Sequence, residues 1–138
     1  MLLATDDSNS LPIPMTDSPT LYTRLGGYDA ISAVAENLIP RLMKDDLLGR
    51  FWAHRSHDSI RREKQLLIDY LCAESGGPMV YTGREMKVSH EGMQINEADW
   101  SNFVGHLNAT FDAFELPEAE RNDVLGFIES KKAEIVEA

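Results

Sequence analysis

Cysteine, basic residues and long apolar runs are all scarce in this sequence of 138 residues. Cys72 is the one cysteine, so no disulfide can form within the chain, and a reducing compartment such as the cytoplasm is expected. Lys and Arg number 13 against 23 Asp and Glu, and the net charge of −10 argues against nucleic acid or an anionic membrane as a partner. No apolar run approaches membrane-spanning length, and the first residues lack the basic and apolar segments of a secretory signal.

The length suits one folded domain preceded by an arm. Residues 1–17 contain Asp6, Asp7 and Asp17, no Lys or Arg, and no helical period, which predicts a flexible acidic arm. Residues 18–138 are expected to form the domain. Apolar residues recur there at helical spacing, and no stretch alternates with a period of two, so the predicted class is all-α.

Glycine, proline and capping residues predict where the helices end. The expected breaks are Gly26-Gly27, Asp45-Asp46, Gly76-Gly77-Pro78 and Leu116-Pro117. Asn96 is expected to cap a long helix that has Asp99 in its first turn, and one last helix is expected from about Glu118. The Tyr81–His90 stretch is predicted to be a short, loosely wound helix that ends in the histidine.

His90, at the end of that stretch, is the residue with the most evident chemistry. A neutral imidazole is a good axial ligand for haem iron, and the nearby cations Arg84 and Lys87 would suit the haem propionates. A lone histidine is nevertheless more often a surface or core residue. The local pattern alone therefore favours a helical bundle without a cofactor, which would serve as a protein–protein module.

Several motifs, taken together and in order, resemble the group I truncated haemoglobins. They are Leu21-Tyr22-Thr23-Arg24-Leu25-Gly26-Gly27, Asp45-Asp46 through Phe51-Trp52, Lys64-Gln65, Gly76-Gly77-Pro78, Tyr81-Thr82-Gly83-Arg84-Glu85-Met86 and Val88-Ser89-His90-Glu91-Gly92. The resemblance runs from about residue 19 to the end of the sequence. It implies a truncated globin-like two-over-two helical sandwich that binds haem b, with His90 as the proximal iron ligand.

The resemblance also implies which residues surround the haem. The expected cofactor-binding residues are Phe51, Trp52, Arg61, Lys64, Gln65, Ile68, Tyr81, Arg84, Met86, Lys87, His90, Phe103 and Leu107. On the distal side, Ile39 lies where many members of the family carry a tyrosine that donates a hydrogen bond to bound dioxygen. The Ile39 side chain has no hydrogen-bond donor. Gln65 matches the family's glutamine, whose side-chain amide donates a hydrogen bond to the ligand on the iron. Arg61 is expected to pair with a propionate or to face solvent.

Lys64 has two interpretations. It matches a position where some relatives place a His or Lys that binds the iron, and a dry pocket and the metal would both favour the neutral amine that ligation requires. The alternative is a solvated lysine at the pocket mouth, or one that pairs with a propionate.

The resemblance implies a monomeric protein that binds the diatomic gases O2, NO and CO at the iron. It also suggests nitric oxide dioxygenase activity, in which an external reductase returns the ferric iron to the ferrous state. The absent distal tyrosine weakens that prediction. The alternative is a six-coordinate haem protein that acts as a sensor, transfers electrons, or handles nitrogen oxides or peroxide. The two differ in whether a protein side chain occupies the sixth site.

Overall fold

The computed structural model describes residues 19–137, so the predicted arm, residues 1–17, lies outside the described residues. Within that part, helices account for all regular secondary structure, which confirms the all-α prediction. The α-helices are α1 (Leu21–Leu25), α2 (Gly27–Lys44), α3 (His57–Glu74), α4 (Met86–His90), α5 (Glu97–Ala113), α6 (Glu118–Glu129) and α7 (Lys132–Ile135), and a 3-10 helix spans Leu48–Phe51.

The core forms where α2 packs against α3 and α5. Helix α2 buries Ile31, Ala35, Leu38 and Leu42, which are three or four positions apart and therefore lie on one face. Facing them are Ile68, Leu71 and Cys72 from α3, Leu107 and Phe111 from α5, and Val124 and Ile128 from α6. Burial raises the pKa of the Cys72 thiol, and a protonated thiol behaves as a small hydrophobe.

Asp45 fixes the corner between α2 and the 3-10 helix. Its Oδ2 accepts hydrogen bonds from the backbone N–H groups of Leu47 and Leu48, each at 2.9 Å, and its Oδ1 lies 2.7 Å from His106 Nε2 on α5. The bonds from His106 and Leu48 hold the pKa of the Asp45 carboxyl far below its usual range. The corner is thereby attached to the long helix behind it.

A second tie holds the 3-10 helix to the beginning of α5. Asp99 is 1% exposed, and its carboxylate accepts bonds of 3.0 and 2.8 Å from the Arg50 guanidinium. Asn96 caps this helix and Asp99 lies in its first turn, as predicted, and the two side chains form a capping box. The Arg50 bond is the main reason that the pKa of Asp99 is lowered. Phe51 and Trp52 therefore project from a segment that is fixed at both ends.

Two helix predictions were wrong in detail. The Tyr81–His90 stretch is helical only from Met86, because the Tyr81 hydroxyl donates 2.7 Å to the Arg84 carbonyl and stabilises a non-helical turn around Gly83. The single helix expected after Glu118 is divided into α6 and α7, and the Ser130 hydroxyl at the division donates 2.6 Å to the Phe127 carbonyl. Between residues 19 and 137, the structure contains no helix that is both long and apolar enough to cross a membrane.

Candidate functional site

A cavity of about 580 Å³ lies between α3 on one side and α4 and α5 on the other. The Leu48–Phe51 corner and the inner face of α2 close one end, and Ile128 and Ile135 contribute from α6 and α7. Its walls are mainly hydrocarbon and aromatic. Walls of this kind exclude water and suit a large, flat, apolar molecule.

His90 lines this cavity at the carboxyl end of α4, and its ring is held in one orientation. Its Nδ1 lies 2.8 Å from the Met86 carbonyl oxygen and 3.0 Å from Ser89 Oγ. A carbonyl only accepts, so Nδ1 carries the proton and donates to Met86. The Nε2 nitrogen of the neutral ring then keeps its lone pair, which is the arrangement that a metal-binding histidine requires.

The loop after His90 is clamped by Glu137. The Glu137 carboxylate accepts hydrogen bonds from the backbone N–H groups of Gly92, at 3.0 Å, and Gln94, at 2.6 Å, and its own N–H donates 2.8 Å to the Ile95 carbonyl. Gly92 and Gln94 both have positive φ, so the loop is a tight turn that needs such support. The same two bonds lower the pKa of Glu137.

Helix α3 forms the opposite wall with Glu63, Leu66, Leu67 and Tyr70. These residues are three or four positions apart, so they lie on one face of the helix. Ile39 of α2 lies beside them in the cavity lining. Ile39, Leu66 and Leu67 have no hydrogen-bond donor in their side chains, so most of this distal wall is hydrocarbon.

Lys64 and Gln65 do not line the cavity, contrary to the sequence prediction. Lys64 Nζ lies 2.8 Å from Glu36 Oε2 on α2, and the Gln65 amide donates 3.1 Å to the Tyr28 hydroxyl and 3.0 Å to Asp69. Leu66 and Leu67 stand two positions further along α3. At about 100° per residue, Lys64 is turned about 110° and Gln65 about 150° from the middle of the face formed by Glu63, Leu66, Leu67 and Tyr70, so Lys64 lies at the side of the helix and Gln65 on its far side.

The other predicted residues divide into two groups. The cavity lining includes Ile39, Phe51, Trp52, Tyr81, Arg84, Met86, His90 and Phe103. It does not include Arg61, Ile68, Lys87 or Leu107. Ile68 and Leu107 are buried in the core instead, and the Arg61 guanidinium pairs with Asp58 at 2.8 Å on an exposed surface. Lys87 is exposed.

Some lining residues were missed by sequence reasoning. Arg62 is one: it lines the cavity together with Arg84, and neither guanidinium forms an ion pair with residues 19–137. Leu66, Leu67 and Tyr70 are others. Their signal was present in the sequence, because Leu66 lies four positions before Tyr70 and Leu67 four before the buried Leu71.

Two buried side-chain polar atoms in the described part of the chain have no hydrogen-bond partner, and both belong to residues that line this cavity. They are the indole Nε1 of Trp52 and the hydroxyl oxygen of Tyr70. Burial is the largest reason that the pKa of Tyr70 is raised to about 12, so its hydroxyl remains protonated. Both atoms have almost no accessible surface, so neither opens directly onto the cavity although their residues line it.

The residues present fit a haem. Phe51, Trp52 and Phe103 offer aromatic surface to a porphyrin, and His90 offers an imidazole nitrogen to the iron. Arg62 and Arg84 offer two uncommitted cations, which suit the two propionates. The His54 and His57 side chains are exposed, and residues 19–137 contain no group of three or more His, Cys, Asp or Glu that could hold a metal ion by themselves.

Comparisons with known proteins agree with this geometry. The model of the bacterial-like globin family matches residues 20–137. The group 1 truncated hemoglobin GlbN of Mycolicibacterium paratuberculosis is 31% identical over 116 residues, which cover 84% of this chain and 83% of that protein.

The fold agrees as well. The structure of truncated hemoglobin from Tetrahymena pyriformis in the Fe(III) form superposes with a TM-score of 0.79 at 23% identity, covering 87% of this chain and 100% of that one. The 2/2 hemoglobin from a Synechococcus species, in the cyanomet state with covalently attached heme, superposes with a TM-score of 0.71 at 20% identity, covering 78% and 89%. The predicted two-over-two globin fold is confirmed. The chain belongs to the bacterial-like globin family, among the group 1 truncated haemoglobins, a family whose members bind diatomic gases through haem.

Proposed function

We propose that this protein binds haem b through His90 and binds dioxygen, nitric oxide and carbon monoxide reversibly at the iron. One observation carries the proposal: the His90 ring faces the cavity with its Nδ1 proton committed to the Met86 carbonyl. That bond leaves Nε2 as the basic nitrogen and fixes the plane of the ring. The haem, when bound, supplies the iron at which the gas is held.

The cofactor is haem b rather than a haem attached through thioethers. Thioether attachment of the c type uses a Cys-x-x-Cys-His motif, and Cys72 is the one cysteine in the sequence. Cys72 is also fully buried, on the core-facing side of α3, and does not line the cavity. Apolar walls, the His90 nitrogen and the two arginines therefore account for haem binding.

The sixth site is open to gas rather than occupied by a protein side chain. Lys64, the candidate ligand, has its Nζ 2.8 Å from Glu36 Oε2 and does not line the cavity. Ile39, Leu66 and Leu67, which line the distal wall, cannot ligate iron. These contacts favour direct gas binding over the alternative six-coordinate sensor or electron-transfer protein.

Nitric oxide dioxygenation is the enzymatic activity proposed for the site. Its balance is O2 + NO + one electron → nitrate, so an external reductase has to supply the electron. The apolar distal wall suits this reaction, because small uncharged gases enter it and water does not. A cytoplasmic, monomeric protein supported by such a reductase remains our prediction.

Visible absorption spectra of the haem-reconstituted protein test the proposal. The wild type and the control His54→Gly, which removes an exposed histidine, should give a high-spin ferrous spectrum that shifts when carbon monoxide is added. His90→Gly should lose haem or give a different spectrum. Haem spectra that are identical in His90→Gly and the wild type would overturn the assignment of the proximal ligand.

Activity has its own measurement. The dioxygen-loaded ferrous protein is mixed with nitric oxide in a stopped-flow instrument, and nitrate is quantified. One nitrate per haem with simultaneous oxidation to ferric protein supports dioxygenation. Nitric oxide binding that leaves no nitrate would exclude dioxygenation and retain gas binding. A sharp low-spin spectrum without added ligand would instead support the six-coordinate alternative.

A further inference from the structure

Helix α4, which carries His90, is too short to hold its own position. It has five residues, far fewer than an isolated helix needs to be stable in water. Its N-cap residue, Glu85, forms no side-chain capping bond, so a usual stabilising contact is absent at this end. The position of His90 is therefore set by contacts on either side of α4. Glu137 supplies such contacts after the helix, and Tyr81 supplies them before it.

The Tyr81 hydroxyl closes the turn that leads into α4. It donates a 2.7 Å hydrogen bond to the carbonyl of Arg84, which lies two positions before Met86, the first residue of the helix. Burial raises the pKa of Tyr81, so the hydroxyl keeps its proton and remains a donor. Met86 is also the residue whose carbonyl accepts the His90 Nδ1 proton, at 2.8 Å. The acceptor of the Tyr81 bond and the acceptor of the His90 bond are thus close together in the chain.

The Tyr81 ring rests on the opposite wall of the cavity. It packs edge-on against Tyr70 of α3, with ring centroids 5.3 Å apart and ring planes at 76°, which is a preferred arrangement of aromatic pairs. Tyr70 is 8% exposed and lies on the face of α3 that lines the cavity, so its position is fixed by the packing around it. Tyr81 therefore links α3, on one side of the cavity, to the beginning of α4 on the other.

Gly83 leaves the space that the outer end of the Tyr81 ring occupies. A Cβ at Gly83 would overlap the hydroxyl end of that ring, whereas a Cβ at Gly126 would meet none of the described residues. Gly83 does not have a positive φ, so the Tyr81 ring, and not the backbone conformation, excludes a side chain there. The turn before α4 is therefore built around the Tyr81 hydroxyl.

We propose that Tyr81 is a positioning residue that fixes His90 relative to the α3 wall. This inference rests on the proposed function. The hydroxyl holds the turn before α4, and the ring rests on Tyr70. When the hydroxyl bond is removed, the beginning of α4 can shift, and the Met86 carbonyl shifts with it. The hydrogen bond from His90 then weakens, and the imidazole becomes a weaker donor to the iron.

Tyr81→Phe tests the proposal, because it removes the hydroxyl and keeps the ring. In the ferrous, haem-reconstituted protein, the iron–histidine stretching frequency should fall, since a weaker hydrogen bond makes the imidazole less basic. Haem should dissociate about fivefold faster, which corresponds to one hydrogen bond of about 1 kcal/mol. Tyr28→Phe is the matched control. The Tyr28 hydroxyl accepts a bond from Gln65 outside the cavity, and its loss should leave both values unchanged.

Gly83→Ala perturbs the same bond without changing Tyr81 itself. The new methyl group should displace the hydroxyl from the Arg84 carbonyl, so the stretching frequency and the haem dissociation rate should change as in Tyr81→Phe. The double variant should resemble either single variant, because the bond can be lost only once. Gly126→Ala, in which the methyl group enters open space, should match the wild type in both measurements.

A wild-type iron–histidine frequency in Tyr81→Phe would overturn the inference, and if that variant does not fold, the same result in Gly83→Ala would do so. A double variant whose shift is the sum of the two single shifts would also overturn it. A purely structural role is distinguished, since it lowers stability to urea and leaves the frequency unchanged.

Haem uptake separates this result from a failure of the proposed function. If the wild type does not take up haem at His90, the proposed function fails. If the wild type and both single variants take up haem and the iron–histidine frequency is the same in all three, the Tyr81 inference alone fails.

Discussion

The two faces of the cavity are held by different kinds of interaction. On the His90 side, hydrogen bonds fix each element: the imidazole is bonded to Met86, and the following loop is bonded to Glu137. On the α3 side, Leu66 and Leu67 contribute only packing. Hydrogen bonds are directional and packing is not, so the first face fixes geometry, whereas the second sets polarity and can change with one side chain.

Of the changes considered, removing the Glu137 carboxylate should have the largest effect, because its hydrogen bonds support the His90 face of the cavity. Glu137→Ala leaves the Gly92 and Gln94 amides without their acceptor, so the loop that supports His90 loosens. We expect haem to dissociate about tenfold faster, because residues that orient a metal ligand typically contribute this much to metal affinity. Haem transfer to a scavenging protein measures the rate, and the iron–histidine stretching frequency reports the ring orientation.

Two further variants sharpen that prediction. Glu137→Gln keeps an acceptor oxygen and should fall between the wild type and Glu137→Ala. Glu118→Ala removes an exposed carboxylate far from His90 in sequence and should behave as the wild type. An unchanged iron–histidine frequency in Glu137→Ala would show that the clamp does not position His90.

Adding polarity to the α3 face should have a moderate effect. Leu67→Gln introduces an amide donor into the cavity, so dioxygen should dissociate roughly three- to tenfold more slowly, as expected for one added hydrogen bond. The haem-free protein should become less stable, because the new amide has no partner there. Leu67→Met is the apolar control of similar volume. Equal dioxygen rates in the two variants would place residue 67 away from bound gas.

Lys64→Ala should have the smallest effect, because Lys64 belongs to neither face. The change removes a partly exposed ion pair with Glu36, which contributes less than about 1 kcal/mol to stability. Visible spectra and gas dissociation rates should match the wild type, and urea unfolding should detect only the small stability change. Loss of a low-spin band in Lys64→Ala would reverse this interpretation and make Lys64 an iron ligand.

The fold was largely predictable from local patterns. Helical spacing in α2 and α5, the capping box of Asn96 and Asp99, and the turn at Asp45 each depend on residues close together in the chain. The division between α6 and α7 was not predictable in this way. It depends on the Ser130 hydroxyl bonding to its own helix backbone, and serine in a helix does not always do so.

The site was predictable in part, and the residue types explain the difference. His90 could be proposed from the sequence because few side chains can ligate iron, and the structure places it in the cavity lining. On α3, matching Lys64-Gln65 by residue type chose polar residues, whereas the cavity meets Leu66 and Leu67. Helix rotation decides this, and it is set by packing against α2. The unpaired Trp52 N–H could not be inferred from sequence, because its lack of a partner is a property of the folded chain.

The bonds between Glu137 and the Gly92–Ile95 loop also bear on the order of events during synthesis. Gly92 receives its acceptor from a residue 45 positions later. While the chain is being made from its amino end, His90 therefore leaves the ribosome well before the residue that steadies its loop. A nascent chain that reached haem at that stage would hold it with an unsupported histidine. If haem binds at His90 as we propose, its secure capture follows the arrival of Glu137, just after α7, so assembly of the pigment is a late event in the synthesis of each molecule.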